Sequence, residues 1–185
     1  MEERLPTVLV LASGRGERFR AAGGAGWKLD ALIAGKPVLE RTLDAVRASG
    51  LPYHVERGAH AGMGDSIAAA VRATRDAAGW LVLPGDLPLV LPSTLRAVAD
   101  ALSRAEVAVP YHAGGRGHPV GFAAACGTEL EHLEGNHGAS RVVAARAAIN
   151  SVARVDVDDA GIVADIDTPA DIARAEALLR ARGAS

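Results

Sequence analysis

Thr7-Val8-Leu9-Val10-Leu11-Ala12, followed at once by Ser13-Gly14-Arg15-Gly16-Glu17-Arg18-Phe19, is the stretch that decides the fold. The first six residues form an unbroken aliphatic and β-branched run, expected of a strand buried on both faces; a half-wet strand would alternate. A doubly buried strand requires helices on both sides of its sheet. No apolar period follows it, and Ser13 to Trp27 reads as a long loop of Gly, Arg and Ala. Two glycines directly after such a strand let a phosphate approach backbone N–H groups. Arg15, Arg18 and Arg20 add positive charge to the same turn, and Lys28 follows. The spacing satisfies neither named phosphate motif. G-x-G-x-x-G needs Gly at 19, where Phe stands, and a Walker A loop needs Gly-Lys-Ser/Thr, where the chain has Gly35-Lys36-Pro37. Alone, the turn is equally a surface turn with solvated arginines.

Outward from this loop, strands and helices alternate. A helix opens at Pro37 and runs to about Ser49, where Gly50 stops it, and Tyr53 to Glu56 is a short strand. Asp65 or Ser66 can cap the next helix, which passes Ile67 and Val71 toward Ala77. Leu81 to Leu83 is a strand ending at Pro84-Gly85, and a helix spans Pro92 to about Arg104. Val107 to Pro110 and Pro119 to Ala125 read as strands around a glycine-rich turn, His112 to Gly117. Two short helices lead to a strand from Ala153 to Val157, and Pro169 starts the last helix. This alternation implies βαβ units in one α/β domain over residues 1–185, with a mainly parallel sheet between two helical layers. In such a sheet ligands bind outside the carboxyl ends of the strands, which directs attention to the loops after Ala12, Leu83, Val109 and Val157.

Composition narrows the function. The 185 residues carry 20 basic and 22 acidic side chains, a net charge of −2, with no basic stripe of the kind duplex binders use, so no nucleic-acid partner is expected. No window approaches the ~18 apolar residues of a membrane span, and the acidic Met1-Glu2-Glu3-Arg4 start is no secretory signal. A cytoplasmic protein without a membrane partner is expected. The single cysteine, Cys126, excludes an internal disulfide and a cysteine-based zinc cage, and reads as a small buried hydrophobe.

Two acidic loops complete the candidate chemistry. Asp86, in Pro84-Gly85-Asp86-Leu87-Pro88, directly follows an apolar strand, so its carboxylate stands at the carboxyl edge of the sheet. There it can hold Mg²⁺ against nucleotide phosphates, or simply cap a turn. In Asp165-Ile166-Asp167-Thr168-Pro169-Ala170-Asp171, an extended backbone puts Asp165 and Asp167 on one face, where two carboxylates repel unless a cation joins them. Thr168 and Asp171 read as caps of the helix opened by Pro169. Of six histidines, only His118 follows a glycine-rich loop beside the expected cleft; His54, His60, His112, His132 and His137 read as surface or hydrogen-bonded residues.

Taken in order, Gly14-x-Gly16-x-Arg18-Phe19 with Lys28, Gly62-Met63-Gly64-Asp65-Ser66, the strand-end Asp86, His118-Pro119-Val120-Gly121-Phe122 and Asp165-Ile166-Asp167-Thr168-Pro169-x-Asp171 resemble the MobA-like nucleotidyltransferases. That family includes the molybdenum cofactor cytidylyl- and guanylyltransferases. The resemblance spans residues 7–175 and implies a three-layer, Rossmann-like sheet of the nucleotide-diphospho-sugar transferase type. It implies an Mg²⁺-dependent enzyme that takes a nucleoside triphosphate and a phosphorylated acceptor and releases pyrophosphate. The acceptor would be molybdopterin, with a molybdoenzyme as recipient of the product. By the same resemblance Leu11, Ala12, Ser13, Gly14 and Gly16 bind the nucleotide, and Arg18 and Lys28 serve its phosphates. Gly62, Gly64 and Ser66 contact base or ribose. Asp86, with Asp165 or Asp167, holds the metal. Gly117 and His118 face the acceptor.

The chain departs from the family in three places. Ala21-Ala22-Gly23-Gly24-Ala25-Gly26 lengthens the step from Arg18 to Lys28, the Leu51–Gly62 connection is short by about one strand-helix unit, and Asn136 replaces an acidic residue in Glu134–Arg141. The guanylyl branch carries Gly-Gly in the first loop. Here Ser13 precedes Gly14, and its side chain crowds a purine, so CTP is expected over GTP. A different phosphorylated acceptor, such as a sugar phosphate or phospholactate, and a nucleotide-binding module without turnover remain the alternatives.

Overall fold

The computed structural model describes residues 4–14 and 16–183; the acidic start at Met1–Glu3 and Arg15 of the glycine turn lie outside them. The first strand, β1 (Thr7–Leu11), is buried along its whole length. The glycine turn leads into a short helix, α1 (Glu17–Ala21), which the expected loop over Ser13–Trp27 had not included. A single side chain explains it: Phe19 is 3% exposed and anchors the turn to the core. Next come a 3₁₀ turn at Lys28–Asp30, the two-residue strands β2 (Leu32–Ile33) and β3 (Lys36–Pro37), and α2 (Val38–Ser49). The chain continues through β4 (Tyr53–Glu56), α3 (Met63–Ala73), β5 (Gly79–Pro84) and α4 (Pro92–Ala101). The remainder is β6 (Val107–His112), β7 (Gly115–Arg116), β8 (Val120–Ala123), α5 (Gly127–Glu131), α6 (Ser140–Ala148), β9 (Val152–Asp156) and α7 (Pro169–Gly183).

The main sheet runs β4-β1-β5-β8-β6, with β9 on the outer side of β6 and β7 folded back on its end. Pairings β4–β1, β1–β5 and β6–β9 are parallel, while β8 runs antiparallel between β5 and β6. The connection from β6 through β7 to β8 is far shorter than the dozen or so residues a parallel crossover needs, so β8 returns as a hairpin partner. Alternation along each strand divides the interior into two cores. Val8, Val10, Leu81 and Leu83 face Leu39, Leu43, Leu95 and Val98, on α2 and α4, together with Ala175 of α7. Leu9, Leu11, Trp80 and Val82 face Ile67, Val71, Leu130 and Val142, on α3, α5 and α6. The three-layer α/β/α expectation therefore holds, and the loops at the carboxyl ends of β1, β4 and β5 meet along one sheet edge.

The start of α3 corrects the expected cap. Neither Asp65 nor Ser66 caps it: the helix begins at Met63 after Gly62, without a side-chain cap. The Asp65 carboxylate instead accepts from the Gly135 N–H at 2.9 Å, and the Ser66 hydroxyl donates to the Gly62 carbonyl at 3.2 Å. The helix starts early because its first turn docks on the 134–136 loop, where the Gly64 N–H reaches the Gly135 carbonyl at 2.7 Å.

Candidate active site

A cleft of about 690 Å³ opens at the carboxyl edge of β1, β4 and β5. Its charged end is built by three loops. Gly16 takes a left-handed conformation (φ 63°) at the head of α1, which turns the chain so that Lys28 packs beside it. The Trp27 indole N–H donates to the Gly14 carbonyl at 2.8 Å and ties the far side of the long loop to the glycine turn. From the next 3₁₀ turn Lys28 Nζ reaches Asp86 Oδ2 at 2.5 Å and Asp167 Oδ1 at 3.2 Å, and Arg18 pairs with Asp167 Oδ2 at 2.5 Å. Thus residues far apart in sequence meet around two carboxylates.

Backbone contacts fix those carboxylates. The Ile166 N–H donates to the Asp86 carbonyl at 3.0 Å, which hangs the acidic stretch on the end of β5. Asp171 accepts from the Asp167 N–H, the Thr168 N–H and the Thr168 hydroxyl at 3.1, 2.6 and 2.8 Å. Asp171, reaching back from the first turn of α7, is the capping acceptor here, and Thr168 is a donor to it. Burial pulls the Lys28 ammonium toward neutrality, but the Asp86 and Asp167 carboxylates outweigh it and hold its pKa above the usual lysine value. Burial pushes Asp165 up, and the Asp86 and Asp167 charges push it the same way.

The charged end also suits a hard cation. Among the described residues, Asp86 Oδ1 is buried with no hydrogen-bond partner, an arrangement that costs free energy unless a ligand completes it. Among the described residues no three His, Cys, Asp or Glu side chains form a ready-made cage. Two carboxylates completed by phosphate oxygens and water is the donor set Mg²⁺ favours. Asp86 and Asp167 fit that set.

The opposite end of the cleft is uncharged. Ser13 and Ser66 hydroxyls pair at 2.7 Å. A Cβ at Gly62 would lie 2.3 Å from the Gly135 backbone, and one at Gly64 would lie 2.8 Å from the Glu134 carbonyl, so both glycines are demanded by the close approach of the 134–136 loop. His60, Ala61, Met63 and Asn136 line this end with Ser13, Gly62 and Ser66.

Of the residues singled out in the sequence, the cleft gathers Leu11, Ser13, Gly14, Gly16, Arg18, Lys28, Gly62, Ser66, Asp86 and Asp167. Ala12 and Gly64 are buried behind its wall, and Gly117 is buried against Ile162. His118 and Asp165 stand beside Asp86 but outside the cleft lining. Burial lowers the His118 pKa, Asp86 opposes that, and Arg116 adds to it. Sequence reading missed His60 as a lining residue, because a lone histidine in a loop carries no motif; Met63 stands inside the Gly62-Met63-Gly64 motif but is given no role by it.

Residues 43–155 match the MobA-like NTP transferase domain family. The bifunctional protein GlmU of Halorhodospira halophila is 31% identical over an alignment of 131 residues that covers 58% of this chain and 27% of that protein; the match thus spans about a quarter of the relative. Rv0371c of Mycobacterium tuberculosis superposes with a TM-score of 0.77 at 27% identity, covering 94% of this chain and 98% of that one. A manganese complex of the same Mycobacterium tuberculosis protein superposes with a TM-score of 0.68 at 26% identity, covering 92% and 97%. Molybdopterin-guanine dinucleotide biosynthesis protein A of Archaeoglobus fulgidus shares the fold at a TM-score of 0.61 and 20% identity, over 94% of this chain and 98% of that one.

Proposed function

The chain belongs to the MobA-like NTP transferase family, and from that premise we propose that it transfers CMP from CTP to a phosphorylated acceptor and releases pyrophosphate. The observation that carries this reading is the Lys28 ammonium held between Asp86 and Asp167, beside an unpartnered Asp86 oxygen and below the Gly14–Gly16 turn. An acceptor phosphate oxygen attacks the α-phosphorus in line; the new P–O bond forms as the bond to the β-phosphate oxygen breaks, and pyrophosphate leaves with that electron pair. Little covalent help is needed, so catalysis rests on positioning and on neutralising charge. The Gly14 and Gly16 backbone cradles the triphosphate, while Arg18 and Lys28 turn from the carboxylates to the phosphates. Mg²⁺ on Asp86 and Asp167, with Asp165 close by, supplies further neutralisation when bound.

Ser13, fixed by Ser66, leaves less room for a purine than a glycine would, which supports CTP over GTP. The acceptor approaches from the Gly117–His118 side, and the motif pattern favours molybdopterin, with a molybdoenzyme receiving the product. The site works within one domain, in the cytoplasm. Calorimetric titration with CTP and GTP, each with Mg²⁺ and with EDTA, tests the reading. Metal-dependent binding with CTP ahead of GTP is expected. Metal-independent binding favours a nucleotide-binding module without turnover, and binding of neither nucleotide overturns the proposal.

A further inference from the structure

The short connection between β4 and α3 places a carboxylate and two histidines behind the uncharged end of the cleft. Glu56, the last residue of β4, has a side chain only 12% exposed. Its Oε1 accepts from the Gly58 N–H at 2.7 Å and lies 3.0 Å from His60 Nε2, while His54 Nε2 stands 3.5 Å from Oε2. The β4 backbone is fixed against the glycine turn by the Ala12 N–H, which donates to the Glu56 carbonyl at 2.8 Å. Burial pushes Glu56 toward protonation, but His60, the Gly58 N–H and His54 outweigh it and hold the carboxyl below its usual pKa. An ionised carboxylate only accepts, so in the neutral form of the His60 ring the hydrogen sits on Nε2 and Nδ1 keeps a lone pair. Glu56 is occupied within the cluster. His60 is what the cluster offers the cleft, whose wall it forms with Met63.

A triphosphate at Lys28 and Asp86 sends the base the other way, past Ser13 toward His60 and Met63. Building on the nucleotide reading above, we propose that His60, held in one tautomer by Glu56, accepts a hydrogen bond from the 4-amino group of cytosine and so separates cytosine from uracil. Ser13 acts on size and leaves two pyrimidines alike; His60 tells them apart by donor against acceptor. Uracil puts O4 where cytosine has its amine, and that oxygen meets the Nδ1 lone pair with no hydrogen between. Glu56 is the positioning residue.

Calorimetry with CTP, UTP, the triphosphate of the pyrimidin-2-one nucleoside (which lacks the 4-amino group) and pyrophosphate, all with Mg²⁺, tests this. Wild type should bind CTP at least about tenfold tighter than UTP, the scale of one satisfied against one unsatisfied buried hydrogen bond. In His60→Ala the two affinities should fall within about twofold of each other with pyrophosphate binding unchanged, and in Glu56→Ala the ratio should drop part of the way. Removing the amine from the ligand and His60 from the protein should cost no more together than either alone, which marks a direct contact. Additive losses, or a CTP to UTP ratio that His60→Ala leaves intact, overturn the inference and leave the transferase reading standing. A ratio near one in wild type also overturns it, with no variant needed. If wild type binds neither nucleotide nor pyrophosphate, the nucleotide reading itself fails.

Discussion

At the scale of single residues, Asp86 and Ser13 carry the two sharpest predictions. Asp86→Asn keeps the shape of the side chain and removes the charge that holds Lys28. Turnover should fall on the order of 10²–10³-fold, as when one preorganised charge-stabilising group is lost from an active site. Thermal stability should move by less than about 5 °C, because Lys28 keeps its ion pair with Asp167 and one Asp86 oxygen has no partner among the described residues to lose. Activity within a few-fold of wild type would remove Asp86 from the site. Ser13→Gly deletes the hydroxyl that pairs with Ser66 and opens the wall beside the base. The CTP to GTP preference should shift toward GTP by roughly tenfold, measured as the ratio of kcat/KM values. Much of this end of the site was legible in sequence, because a glycine turn after a buried strand and a carboxylate at a strand end each have a physical reason to be where they are. The Arg18–Asp167 and Lys28–Asp86 pairings were not, since nothing in spacing says which of several charges will meet. His60 was read as an ordinary polar histidine. Its hydrogen bond to Glu56 agrees with that, yet its place on the cleft wall depends on the length of the β4–α3 connection.

Between elements, the junction of α3 with the 134–136 loop sets the floor of the uncharged end. Gly62 and Gly14 make a contrasting pair. A methyl group at 62 would have to push back the Gly135 backbone, breaking the Gly64–Gly135 and Asp65–Gly135 hydrogen bonds. Gly62→Ala should cost about 1–3 kcal/mol, the usual range for overpacking, seen as a lower urea midpoint. At 14 the same methyl group meets no atom of the described residues within 4 Å, its chain neighbours aside. Gly14→Ala should unfold at the wild-type midpoint while binding CTP at least about tenfold more weakly, because the methyl group occupies the phosphates' approach. Equal loss of stability in the two variants would mean that the glycine turn is structural. The sequence located most of these elements through apolar period and glycine or proline punctuation. It lost the start of α3 because Asp65 has the side chain of a cap but spends its carboxylate on another loop. It lost α1 because five residues held by one buried Phe19 have no periodicity to read. The antiparallel insertion of β8 follows from the hairpin's shortness, but which neighbour it joins is settled by packing.

Across the whole molecule, Asp159 braces the distal half of the site. Only 1% exposed, it accepts from the Leu91 N–H, the Thr94 hydroxyl, the Gly161 N–H and Arg182 at 2.8, 2.7, 2.9 and 2.8 Å. One carboxylate thus joins the start of α4, the 3₁₀ turn at Ala160–Val163 and the end of α7, and the Ile162 carbonyl of that turn accepts from the His118 N–H at 3.0 Å. Asp159→Ala should cost about 3 kcal/mol, the scale for breaking one partner out of a buried pair, and roughly 6–12 °C in Tm for a chain of this size. His118 gives the same region a pH dependence whose sign can be worked out. Burial lowers its pKa below the ordinary 6.5, Asp86 pulls it back, and Arg116 pushes it further down. Between the folded and unfolded values the unfolded chain therefore binds more protons, and stability must rise with pH. Acidification from neutrality should remove stability beginning near pH 6.5. The depressed carboxyls of Glu56 and Asp171 extend the loss below their ordinary values of 4.5 and 3.8, because they too bind fewer protons when folded. Urea midpoints of wild type and His118→Gln, followed from neutrality down to about pH 3, separate the two contributions. The variant should lose less stability than wild type across the histidine range and run parallel to it below. Identical slopes throughout would mean that His118 titrates as freely in the folded chain as in the unfolded one, and that its surroundings are open to water.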